Sequence, residues 1–257
     1  MLEVAQLTKK YGGLVAVDDV SFTVHEGEIL GIAGPNGAGK TTLFDVVTGM
    51  VRASHGSVRF RGEEIQGDSV TDICRAGLTR TFQQPSVFDS QTVLANALIG
   101  SYFGSGAGWW KSMARDHGAI DRARDALEFV GLASVADRTS GDLAVFDKKR
   151  LMIATALASE PVMLFLDEPF GGLTGSEIDE LMQLVRSIQT RGITIVLIEH
   201  VMRALVALCD RVVLLDQGAV LFEGNPRDMM TNPDVVRVYL GDSASSPGAH
   251  DAEAGHE

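Results

Sequence analysis

The sequence predicts an α/β fold, a mostly parallel sheet flanked by helices, and three observations carry that prediction. A glycine-rich stretch, Gly34-Pro35-Asn36-Gly37-Ala38-Gly39-Lys40-Thr41-Thr42, stands between the apolar run Ile29–Ala33 and a helix-like segment, Thr42–Thr48. Two more runs, Val162–Leu166 and, but for Thr194, Ile193–Ile198, are apolar, as strands buried on both faces of a parallel sheet are. Helical patterns separate these runs, the alternation that builds helices onto a sheet.

The glycine-rich stretch fits G-x-x-x-x-G-K-[ST] in the strand-to-helix setting of a phosphate-binding loop. Its glycines free backbone N–H groups to turn inward into an anion nest, and the following helix aims its positive end at the same spot. All of Gly34 to Thr42 are therefore candidate nucleotide contacts. Lys40 is expected to place its charge on the β- and γ-phosphates, and the Thr41 hydroxyl to ligate Mg²⁺.

The chain has 257 residues, enough for one large domain or a core with a subdomain. Its 45% hydrophobic and 22% charged residues are ordinary for a globular protein. A formal net charge of −12 argues against a general nucleic-acid partner, which needs a basic surface. It leaves a nucleotide open, since the loop supplies its own positive field. No apolar stretch reaches bilayer-spanning length, and Met1-Leu2-Glu3-Val4 has no signal-like character, so a cytosolic chain is expected. Cys74 and Cys209 read as buried free thiols.

In chain order, residues 2–7, 20–24 and 28–33 read as strands. Tyr11 and Gly12-Gly13 fall in a turn between the first two. An aromatic at Tyr11 is able to stack on an adenine ring, though alone it reads as packing. Gly49 ends the first helix, and Ser57–Arg61 is a strand. Val70–Ala76 is a short helix stopped by Gly77. Leu78–Pro85 reads as a strand closed by proline, and Gln83 near its end, taken alone, is a solvated loop amide. Helices are expected at 92–100 and Ile120–Val130, separated by Gly/Ser-rich Ser101–Gly108 and Trp109-Trp110, which reads as an anchor of a small helical subdomain ahead of a partner contact. Phe146–Ala158 is an amphipathic helix whose start, Lys148-Lys149-Arg150, reads as a solvated basic face.

Asp167 and Glu168 close the Val162–Leu166 run, at the carboxyl end where parallel sheets bind ligands. Asp167 is expected to anchor Mg²⁺ through water, and Glu168 to orient or deprotonate an attacking water. After a helix at 176–190, the Ile193–Ile198 strand ends in Glu199-His200. His200 is open to two readings, a structural hydrogen-bonder or a γ-phosphate contact. A helix at 201–208, strands at 211–216 and 219–223, and a helix over 226–240 follow. Residues 241–257 are polar and acidic and read as a disordered tail.

The order of these motifs resembles the ATPase subunits of ABC transporters over residues 2–240. The resemblance identifies Gly34–Thr41 as Walker A, Val162–Asp167 as Walker B, Glu168 as catalytic base, Gln83 as the glutamine-loop residue that senses Mg²⁺, and His200 as the switch histidine. It makes Tyr11 the adenine-stacking aromatic, with Val17 on the same ring. It also implies a P-loop core with an antiparallel β subdomain and an α-helical subdomain at about 84–158. ATP and Mg²⁺ are the implied cofactors. Tyr11-Gly12-Gly13-Leu14, Arg80-Thr81-Phe82-Gln83, Ile198-Glu199-His200 and Glu223-Gly224-Asn225-Pro226 are similar to the branched-chain amino-acid uptake subgroup. That subgroup implies two ATPase subunits, two transmembrane permeases and an extracytoplasmic solute-binding protein, with this chain peripheral on the cytoplasmic face of the membrane. A soluble repair or translation ABC protein is the alternative, but the chain has neither a long coiled-coil insertion nor a second such domain. A regulatory subunit with little hydrolysis is another.

One departure is large. The family signature Leu-Ser-Gly-Gly-Gln falls in frame on Leu143-Ala144-Val145-Phe146-Asp147, and Ser140-Gly141-Asp142 is similar but out of frame. In the family this signature clasps ATP on the opposite subunit. Ala144 has no hydroxyl, Val145 and Phe146 bar close backbone approach, and Asp147 adds negative charge. A heterodimer with one weak ATP site is the expectation, and a homodimer the alternative. Gly172-Leu173-Thr174-Gly175 also lacks the family's usual aspartate.

Overall fold

The computed structural model describes residues 1–84, 86–104 and 117–240. Trp109-Trp110, Pro85 and the expected tail at 241–257 lie outside the described residues. Two sheets organise the chain. The first is antiparallel, in the order β2 (Leu14–Val24), β1 (Leu2–Tyr11), β4 (His55–Phe60) and β5 (Glu63–Glu64). The second runs β10 (Ala219–Gly224), β9 (Arg211–Asp216), β3 (Ile29–Ala33), β8 (Thr194–Ile198), β7 (Met163–Asp167) and β6 (Leu78–Arg80). It is parallel except for its β9–β10 edge hairpin. The predicted parallel core and antiparallel subdomain are both present.

Every residue of β3, β7 and β8 is buried. Alternation along these strands splits the core into two layers. Leu30, Ile32, Phe165, Val196 and Ile198 face the antiparallel sheet and α1 (Lys40–Val47). Ile29, Ala33, Leu164, Leu166, Ile195 and Leu197 face α5 (Val145–Leu157), α6 (Gly175–Thr190) and α7 (Met202–Leu208). α3 (Val93–Gly104) packs against α4 (His117–Phe129) and α5, forming the helical part of the chain.

Several boundaries differ from the sequence reading. β1 and β2 are longer than residues 2–7 and 20–24, because bulges interrupt their inside–outside alternation. Gln6 and Asp19 sit at these irregularities with φ of 50° and 51°. Tyr11 is the last residue of β1, paired with Leu14, so Gly12-Gly13 alone makes the turn. The strand expected over Leu78–Pro85 stops at Arg80. α3 continues through Ser101–Gly104, part of the expected Gly/Ser loop, and buried Ser101 donates to the Ala119 carbonyl at 3.0 Å. The helix expected over 226–240 is two, α8 (Pro226–Met229) and α9 (Pro233–Leu240). Asn232 breaks it by accepting the N–H groups of Asp234 and Val235 at 2.9 and 3.3 Å. The remaining helix, α2, spans Val70–Arg75.

Phe165 on β7 meets Phe44 on α1 edge-on, with ring centroids 4.7 Å apart, and both are fully buried. This contact clamps the loop-bearing helix to the acid-bearing strand. Phe165→Ala is expected to lower the unfolding free energy by about 3–5 kcal/mol. Urea denaturation checks this, and a loss below about 1 kcal/mol would mean that the helix is held elsewhere.

Candidate functional site

Parallel register brings the functional loops to one edge of the sheet. Ile32 pairs with Ile198, and Ile198 with Asp167, so β3, β8 and β7 end level with one another. The glycine-rich loop leaves β3, His200 follows β8, and Asp167-Glu168 ends β7. β3 lies between β8 and β9 at the centre of the sheet, where the order of connection reverses and such folds bind ligands.

The loop needs its glycines for two distinct reasons. Gly39 has φ of 99°, and a Cβ there would lie 2.3 Å from the Ala16 carbonyl oxygen. Gly34 would put a Cβ 2.2 Å from the Leu215 carbonyl oxygen. Beneath the loop, Lys40 is buried and donates to the carbonyls of Gly34 and Pro35 at 2.8 and 2.9 Å. Burial lowers its pKa, and the negative charges of Glu168 and Asp167 act against that shift.

A cavity of about 720 Å³ opens above the loop. Asn36, Gly37, Gly39, Lys40, Thr41 and Thr42 form its floor, with Gln83 and Glu168 on one wall and Tyr11 on another. Tyr11 is half exposed, and the Lys9 ammonium lies 4.7 Å from its ring centroid. Val17 is one predicted contact that does not line the cavity. It is fully buried in the core and absent from the wall, because the pleat of β2 turns it inward; Val15 and Ala16 line the cavity instead. Gly34, Pro35 and Ala38 support the loop without lining the cavity.

The catalytic candidates meet at Glu168. Gln83 Nε2 donates to its Oε2 at 2.6 Å, and His200 Nδ1 lies 3.8 Å from the same oxygen. Glu168 has φ of 47°, and its N–H is tied to the Ile198 carbonyl at 3.0 Å. Asp167, by contrast, is buried away from the cavity and accepts from Arg80 Nη2 at 2.7 Å. Arg80 Nη1 reaches Asp45 on α1 at 2.6 Å, so one guanidinium joins α1, β6 and β7. Burial raises the Asp167 pKa, with the Arg80 hydrogen bond and charge opposing. Its share of stability is therefore present below the ordinary value of 3.8 and is lost as pH rises through the raised one.

The donor set tests the implied cofactors. The floor offers a buried ammonium, glycine N–H groups and the exposed Thr41 hydroxyl, which fit a polyphosphate. Thr41 and the Gln83 amide oxygen are hard oxygen donors, which fit Mg²⁺ arriving with phosphates better than a cage formed by the protein alone; Asp167, expected as a further anchor, is held by Arg80 and does not line the cavity. No cluster of three or more acidic, histidine or cysteine residues able to hold a metal occurs among the described residues.

The segment in frame with the signature opens α5. Ala144 is exposed, Val145 is 54% exposed, and Phe146 is partly buried under the Arg150 guanidinium, 5.3 Å from its ring centroid. Asp147 pairs with Arg150 at 3.0 Å, which offsets its negative charge. Ser140 is fully buried, its single O–H shared between the carbonyls of Phe88 and Gln91, 2.9 and 3.1 Å from Oγ, so the out-of-frame serine is structural. The basic run is no uniformly solvated face. Lys149 is buried and reaches the Glu168 carbonyl at 3.4 Å, while Lys148 pairs with Asp89 at 2.8 Å.

Arg80, Asp45, Lys149 and Glu199 are the residues that the sequence reading missed as parts of the site. Glu199 carried a signal, being a charge directly after an apolar strand.

A family model described as "ABC transporter" matches residues 17–171. The high-affinity branched-chain amino acid transport ATP-binding protein BraF of Pseudomonas aeruginosa is 38% identical over 251 residues, covering 95% of this chain and 98% of its own. LivG of Salmonella typhimurium, of the same description, is 37% identical with the same coverage. Among solved structures, a nucleotide-free ATP-binding cassette from an ABC transporter superimposes with a TM-score of 0.85 at 30% identity, covering 94% of this chain and 99% of that one. Another cassette, in its ADP conformation, gives 0.84 at 29% identity, covering 94% and 98%.

Arg80→Met leaves Asp167 buried without its cation. The expected cost is about 3–5 kcal/mol near neutral pH. It should shrink toward pH 5, because an unpaired buried carboxylate takes up a proton more readily. Chemical denaturation at pH 5 and pH 8 checks this; equal losses at both would contradict it.

Proposed function

Because the chain belongs to the ABC transporter family as an ATP-binding, ATPase subunit, we propose that it hydrolyses MgATP to energise uptake of a small polar solute such as a branched-chain amino acid. The observation that carries this reading is the convergence of Gln83 and His200 on Glu168 at the wall of the cavity floored by Lys40 and its glycine loop. The named relatives, matched over nearly their whole length, support the solute class. Among the described residues no helix is long and apolar enough to cross a membrane. The proposed partners are transmembrane permeases, which this subunit meets from the cytoplasmic face, with an extracytoplasmic solute-binding protein delivering the solute.

Each residue has a role in phosphoryl transfer. Lys40 and the loop N–H groups hold the β- and γ-phosphates and offset charge that builds in the transition state. Tyr11 stacks on the adenine. Glu168 aligns the attacking water and accepts its proton, with Gln83 and His200 fixing the carboxylate and the γ-phosphate side. Thr41, Gln83 and, through water, Asp167 would hold Mg²⁺, which would supply further charge neutralisation.

The segment Leu143–Asp147 supports a heterodimer with unequal sites. A partner with an intact signature completes the site built on this chain's Lys40, Asp167, Glu168 and His200, and that site hydrolyses. The reciprocal site receives exposed Ala144 and Val145, which offer no hydroxyl to a γ-phosphate, and it is slow. A regulatory subunit is the second reading, favoured by the same segment alone.

Glu168→Gln is expected to lower turnover by roughly 10²–10⁴-fold with MgATP still bound. Steady-state kinetics and nucleotide titration check it, and retained turnover would reassign the base. ATPase activity of the chain alone and with its partner ATPase tests the unequal sites. Low activity alone, rising with the partner, is expected; brisk turnover by the isolated chain would refute them.

A further inference from the structure

Glu199 follows β8, immediately before His200, and is fully buried. Its carboxylate binds backbone from two loops. Oε1 accepts the Phe170 N–H at 3.0 Å, two residues beyond Glu168. Oε2 accepts the N–H groups of His200 and Val201, each at 3.0 Å. A carboxylate removed from water is costly unless its oxygens are satisfied, and here three amides satisfy them. Burial still raises its pKa against those bonds.

Lys149 approaches the same loops from α5. It is buried, and its ammonium donates to the Glu168 carbonyl oxygen at 3.4 Å. Burial lowers its pKa, and the negative charges of Glu199 and Glu168 work against that shift. Neither Lys149 nor Glu199 lines the nucleotide cavity. Both act on the backbone that carries Glu168 and His200.

We propose that Glu199 and Lys149 are positioning residues, Glu199 setting the spacing between Glu168 and His200 and Lys149 anchoring the Glu168 loop to α5. The proposal rests on Glu168 as the base, and it assigns work to two charges that the phosphate chemistry itself does not use. Glu199 spans the gap between the ends of β7 and β8. Lys149 holds the Glu168 peptide, whose residue has φ of 47°. Removing either leaves the phosphate loop intact and lets the base drift from its water.

The test uses the full chain with its partner ATPase. Glu199→Gln replaces one accepting oxygen with an amide nitrogen that cannot accept an N–H. The expected result is a fall in kcat of about 10- to 100-fold, the scale of a small misplacement of a reacting group. MgATP affinity should stay within about twofold, because the loop at 34–42 sets it. Lys149→Met should lower kcat similarly, and the double variant should lose less than the product of the two single losses. A kcat within about twofold of wild type well below the melting temperature would overturn the proposal, as would equal losses of kcat and affinity. Where the variants do not fold, hydrogen exchange on the wild-type chain decides. Slow exchange of the Phe170, His200 and Val201 amides supports the clamp, and exchange as fast as open loop overturns it. That measurement needs no turnover, so a wild-type chain inactive with its partner would refute the ATPase reading and leave the clamp to be judged by its amides.

Discussion

The site depends on the level ending of three parallel strands. With Ile32 opposite Ile198 and Ile198 opposite Asp167, the glycine loop, the histidine loop and the acidic pair emerge at one height. A slip of one residue in any of these strands would exchange its two faces and turn buried side chains to the wrong layer. Complete burial of all three makes such a slip prohibitive. Register alone thus gathers groups that lie more than a hundred residues apart in the chain.

Buried charge then refines what register sets approximately. Arg80 binds Asp45 and Asp167, joining the helix that follows the phosphate loop to the strand that carries the acids. Its Nε is buried with no hydrogen-bond partner among the described residues. Such groups add little net stability, since desolvation cancels much of their attraction, but breaking them is expensive. Their value is to fix one geometry among several that an apolar core would tolerate.

The parallel core, the glycine loop and the strand-end positions of Asp167, Glu168 and His200 were legible because each follows a local rule. An unbroken apolar run marks a two-face-buried strand, and a charge directly after it marks the ligand edge. Val17 was misplaced because motif spacing says nothing of which way a pleat turns. The full lengths of β1 and β2 were hidden because bulges at Gln6 and Asp19 break the period of two. Lys149 was read as solvated because three cations in sequence look like a surface, whereas a helix turns each to a different side. The burial of Lys149 depends on the ends of β7 and β8, which local pattern does not bring into view.

Glu168 is wound left-handed, a conformation that costs a residue with a side chain about 1–2 kcal/mol relative to right-handed backbone. Glycine would adopt it freely and relieve that cost, yet glycine has no carboxylate to offer a water. Selection for thermal robustness and selection for activity therefore pull this codon in opposite directions. A lineage that no longer needed hydrolysis could gain stability here by a single change, so glutamate persisting at such an unfavourable angle would itself record continuing use.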